Sequence, residues 1–64
     1  MNNYEHLQTI LRELDKIEES LRTLRDYAEP QTKASINGAI GEAQRLRESL
    51  LQVDKALENE SGGH

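Results

Sequence analysis

Sixty-four residues, 31% of them charged and 3% aromatic, carry a formal net charge of -4 and no cysteine. That leaves room for one small domain, excludes disulfides and thiolate metal sites, and sets the overall charge against phosphate backbones and anionic lipid as partners. No apolar stretch approaches the roughly 20 residues of a membrane span, and the polar start Met1-Asn2-Asn3-Tyr4-Glu5 does not read as a signal peptide, so a soluble cytoplasmic protein is expected.

The first element is a helix over about residues 2–28. Asn2 followed by Glu5 has the form of a capping box, in which Asn2 accepts from a free first-turn amide and Glu5 reaches back. Leu7, Ile10, Leu14, Ile17, Leu21, Leu24 and Ala28 then recur at alternating spacings of three and four, with polar residues almost everywhere between. With Leu7 at heptad position a, this is a stripe of a and d residues of the kind that a helix buries against another helix. Glu18 with Arg22, Arg22 with Asp26 and Arg25 with Glu29 are spaced as helix-surface pairs, worth about 0.2–0.5 kcal/mol each.

Pro30 removes a backbone donor and disfavours helical geometry at Glu29, which ends the first helix near Tyr27 or Ala28. Because proline is at home in a first helical turn, a second helix can begin at once after a turn over 29–31. It is expected over about 31–59, with Ile36, Ala43, Leu50 and Leu57 at a and Ala39, Leu46 and Val53 at d. Asn37-Gly38 is a strong turn signal that could split this helix, but the apolar spacing runs straight through it. Residues 61–64 have lost the period and are expected to form a mobile tail.

Reversal at the proline brings the two heptads into register. Facing residues then sum to about 60, which pairs Leu24 with Ile36, Leu21 with Ala39, Ile17 with Ala43, Leu14 with Leu46, Ile10 with Leu50 and Leu7 with Val53. The expected fold class is all-α, an antiparallel two-helix hairpin of coiled-coil character. So short a chain needs support, since below about 70–80 residues a lone core seldom supplies more than about 3–5 kcal/mol. Tyr4, Leu11 and Ile40 at e, with Leu51 at b beside them, widen the stripe beyond what a two-helix contact uses. They are read as a face for self-association or for a partner, with dimerisation into a four-helix bundle as the expected outcome.

Chemistry-bearing patterns are absent. His6 has no second ligand at helical spacing, Ser20, Ser35, Ser49 and Ser61 have no nearby histidine, and Gly38 and Gly41 are not followed by the Lys-Ser or Lys-Thr of a phosphate loop. The stretch from Gln31 to Ile40 places Ala and Gly four apart as helix-turn-helix readers do, but Lys33 and Asn37 fall where such a motif packs apolar side chains. No enzyme, cofactor or metal is expected. Ala34, Gly38 and Gly41 fall on the outer face of the second helix, where they could make a flat strip for close approach of a partner backbone.

In length, single sharp turn and short polar tail, the chain resembles the Rop family, plasmid-encoded helical hairpins that dimerise and bind paired RNA stem-loops. The resemblance is one of layout and implies a dimeric regulator of structured RNA. The family's aromatic and basic stripe has no counterpart here, because Arg12, Lys16, Arg22, Arg25, Arg45 and Arg47 are interleaved with acids. Layout is likewise similar to small secretion co-chaperones and short phage-borne inhibitors. The residues themselves favour a homodimer that binds another protein as adaptor, chaperone or inhibitor, with neither nucleic acid nor membrane as partner.

Overall fold

The structure, a computed structural model, describes residues 2–62, with side chains described through residue 60. It consists of two helices, α1 (Asn3–Tyr27) and α2 (Pro30–Gly62), packed side by side in opposite directions. The body measures 53 × 19 × 9 Å, a slab one helix thick. No described side chain is completely enclosed, because every helix in such a slab has a face that its single neighbour cannot cover.

Local chemistry sets the ends. The Glu5 N–H donates to Asn2 Oδ1 at 2.8 Å, and the His6 N–H donates to the Asn2 carbonyl at 3.1 Å, so Asn2 caps α1. At the other end, Ala28 leaves the helix with φ -88° and ψ 158° while its N–H still donates to the Arg25 carbonyl at 3.2 Å. The Glu29 carbonyl accepts from Lys33 N–H at 2.8 Å, which starts α2 with Pro30 in its first position. The reversal therefore takes only Ala28 and Glu29, a tighter link than the expected turn over 29–31. Helix α2 passes through Asn37-Gly38 without a break and continues to Gly62, so Ser61 and Gly62 belong to the helix rather than to a tail. The remainder of the expected tail, Gly63 and His64, lies outside the described residues.

The seam departs from the expected a and d stripe. The buried residues of α1 are Leu7, Leu14 and Glu18, and those of α2 are Ile36, Ile40 and Ala43. Leu11, Leu21, Arg25, Ala28, Ala39, Arg47, Leu50, Asp54 and Leu57 are half-buried around them. In heptad terms the helices meet through a and e, with both rotated away from d. Arg25 against Asn37 and Arg47 against Asp15 sum to 62, and Arg47 against Glu18 sums to 65, ahead of the expected register. Ile10, Ile17, Leu24, Leu46 and Val53, expected in the core, are between 43% and 55% exposed. Leu14 and Leu46 are accordingly not core partners. The observed rotation is the one that gives the Glu18 carboxylate a cation from each helix.

Candidate functional site

Two flanks run along the seam. On the e flank, Arg47 of α2 reaches across to α1, its Nε and Nη2 donating to Glu18 Oε1 at 3.3 and 3.0 Å, and Nη2 also donating to Asp15. Arg22 Nη2 donates to Glu18 Oε2 at 3.5 Å from within α1. Glu18 is only 6% exposed, so its charge is carried into the hairpin and compensated there by two guanidinium groups. The hydrogen bonds to Glu18, and then those to Asp15, raise the Arg47 pKa above its ordinary value. About two turns further toward the reversal at Ala28 and Glu29, Arg25 Nη1 donates to Asn37 Oδ1 at 2.8 Å. Toward the open end the flank is less well matched, since Asp54 buries Oδ1 without a hydrogen-bond partner.

The opposite flank has no such closure. Ile10, Ile17 and Leu24 of α1 and Leu46 and Val53 of α2 follow the d positions and form an apolar strip on one broad side of the slab. The neighbouring g positions alternate small side chains, Ser20, Ser35, Ser49 and Ala56, with larger ones, His6, Glu13, Tyr27 and Glu42. The charged residues at d and g are Glu13, Glu42 and Glu60; arginines and lysines lie elsewhere. Five large aliphatic side chains, three on α1 and two on α2, are thus each about half in water on one side of the slab.

The residues singled out from sequence are dispersed by the fold. Ile40 is buried within the hairpin and Leu11 is half-buried beside it, while Tyr4 and Leu51 are exposed. The four do not make one open face, because the rotation that pairs Glu18 with Arg47 draws Leu11 and Ile40 inward. The apolar surplus lies on d instead. The apolar period does not pair Glu18 with Arg47; the sequence signal for that contact is opposite charge at e on both helices, at positions that meet once the chain reverses at Pro30. On the outer face of α2, a Cβ added at Gly38 or Gly41 would meet nothing within 4 Å, and Ala34 is exposed, so no part of the hairpin requires small residues there.

Other chemistry finds little to build on. Among the described residues no three histidines, cysteines or carboxylates converge as a metal site would need, and no helix is long and apolar enough to cross a membrane. The concave features are shallow and open; one at the open end is lined by Asn2, Asn3, Tyr4, Leu57, Glu58 and Glu60. Arg47, Arg22 and Arg25 are engaged within the hairpin. Comparison with protein families, with curated proteins and with solved structures gives no match to this chain.

Proposed function

We propose that the hairpin is a non-enzymatic protein-interaction module that pairs with a second copy through the d strip, forming a four-helix bundle, and acts by binding another protein as an adaptor, chaperone or inhibitor. The observation that carries this reading is the row Ile10, Ile17, Leu24, Leu46 and Val53, left about half exposed while the e flank is closed by ions. A helix that spends a and e on its hairpin mate and still presents d has the wide apolar face of a bundle member, not the narrow stripe of a two-helix coil.

The surface area supports the same reading. The chain exposes 5016 Å² at a mass of 7.3 kDa, whereas a compact monomer of that mass exposes about 4200 Å². The excess is what an open two-helix slab of 53 × 19 × 9 Å, with one apolar side uncovered, leaves in water.

The binding role is tested by affinity capture from the native host with the wild-type protein and with Ile17→Ser/Leu46→Ser, followed by mass spectrometry and reconstitution with the purified candidate. A protein that binds the wild type directly and binds the double variant at least tenfold more weakly supports an interaction module whose dimer is the working form. Structured RNA bound at low salt, with no protein bound in reconstitution, would replace this reading with an RNA-regulator role.

A further inference from the structure

We infer that the Glu18–Arg47 contact selects between two packings of one hairpin. While the contact is made, the helices meet through a and e and the d strip is presented. Once it is broken, they roll about their own axes to meet through a and d, which takes the strip inside. Either packing is a property of a single chain, whatever covers the strip.

The apolar pattern provides both seams. The a line, from Leu7 to Ala28 on α1 and from Ile36 to Leu57 on α2, is common to them. On one side of it, the d residues Ile10, Ile17, Leu24, Ala39, Leu46 and Val53 are all apolar, and reversal at Pro30 can set each against an a residue of the other helix. On the other side, e supplies Tyr4, Leu11 and Ile40 but also Glu18, Arg25, Lys33, Arg47 and Asp54. Positions d and e stand on either side of a, so a roll of about 50° in each helix exchanges one seam for the other. No helical hydrogen bond has to break, and the a residues stay inside throughout.

Burial of apolar side chains alone would select d. The side-chain hydrogen bonds across the seam oppose it, because all of them lie on the e flank: Arg47 to Glu18 and Asp15, and Arg25 to Asn37. Glu18 is the deepest of these groups, at 6% exposed, and a carboxylate so placed is tolerated only with its cations beside it. A buried ion pair of this kind acts through the choice of one packing over another more than through net stability. Arg47→Glu would set a third carboxylate beside Glu18 and Asp15, and the roll to a and d is the movement that returns all three to water. The strip is therefore available to a partner only in the packing that the contact holds.

The chain has no cysteine, so single thiols can report the roll. Ile40→Cys at e, Leu24→Cys at d and Ala43→Cys on the shared a line are placed in separate variants. Their rates of reaction with a maleimide are compared with and without Arg47→Glu, at a dilution where sedimentation shows a monomer. Breaking the contact is expected to speed the Ile40→Cys thiol and slow the Leu24→Cys thiol, each by roughly tenfold, while the Ala43→Cys thiol stays within about twofold. Charge exchange, Glu18→Arg with Arg47→Glu, is expected to restore the original rates at all three. Should Arg47→Glu lose its helical circular dichroism, Arg47→Gln, which removes the cation without adding an acid, is read in the same way.

All three thiols speeding together in a chain that stays helical would mean that the hairpin only loosens. An unchanged rate at Ile40→Cys would mean that a and e meet without the contact. Either result, or a charge exchange that fails to restore the rates, would overturn the inference. A second copy on the strip is read separately, as a Leu24→Cys thiol that is slow at high concentration and speeds on dilution. If dilution leaves no monomer, the decision falls to Ile40→Cys against Ala43→Cys, neither of which lies on the strip.

Discussion

Along the e flank of the seam, Leu11, Glu18, Ile40 and Arg47 are drawn into the hairpin, while along the d flank Ile10, Ile17, Leu24, Leu46 and Val53 stand about half in water. By hydrophobicity alone the outcome would be reversed, since the d residues Ile10, Ile17, Leu24, Ala39, Leu46 and Val53 are all apolar and e is mixed. The difference shows that a two-helix slab is oriented by its few strong polar contacts as much as by apolar area. A carboxylate at Glu18 that must be near the seam is stabilised only if Arg47 lies across from it, and meeting that requirement turns the d residues outward. The exposed flank is then the part of the heptad that a single hairpin does not use.

Substitutions can break or sharpen this contrast. The largest loss in hairpin stability is expected at the a line that both flanks share: Leu14→Ala should cost about 2–5 kcal/mol in urea or thermal unfolding, because Leu14 is buried in the middle of the seam. An equal loss at Leu46→Ala in a protein kept monomeric by dilution would mean that the d flank is core after all. Asp54→Leu on the e flank should have the opposite sign, raising stability by about 1–3 kcal/mol, since it removes a buried oxygen that lacks a hydrogen-bond partner. A fall in melting temperature would show that Asp54 makes a contact that matters in solution.

Smaller effects are expected away from the seam. Gly38→Ala and Gly41→Ala should each stabilise α2 by about 0.8–1 kcal/mol, because the added methyl meets open space and removes the helix cost of glycine. A loss in either variant, read by circular dichroism melting, would indicate that something covers the outer face of α2. Arg12 and Glu48, exposed on the outer faces, should each tolerate alanine with a change under about 0.5 kcal/mol.

Much of the fold is legible in the sequence because it rests on short-range spacing. The helix cap at Asn2, the apolar residues three and four apart and the break before Pro30 each depend on neighbours within one or two turns, and the structure has two helices meeting at that break. The rotation of the helices about their own axes was not legible. At Leu7, Ile10 and Leu11, as at Ala39, Ile40 and Ala43, the a, d and e positions all carry apolar residues, so periodicity alone cannot say which pair faces inward. Glu18 with Arg22 has the form of an ordinary surface pair, and only the arrival of Arg47 from the other helix turns it into a seam contact. The candidate face suffered from the same ambiguity: Leu11 and Ile40 look surplus if d is buried, and become seam residues once it is not.

The claim on which the rest depends is that the d flank is an interface between two copies, and sedimentation equilibrium tests it most directly. The wild-type protein should sediment as a dimer at micromolar concentration, and Ile17→Ser/Leu46→Ser should sediment as a monomer, because both changed side chains lie at the centre of the strip and outside the hairpin core. A wild-type chain that is fully helical and monomeric at tens of micromolar, or a double variant that remains dimeric, would contradict the account.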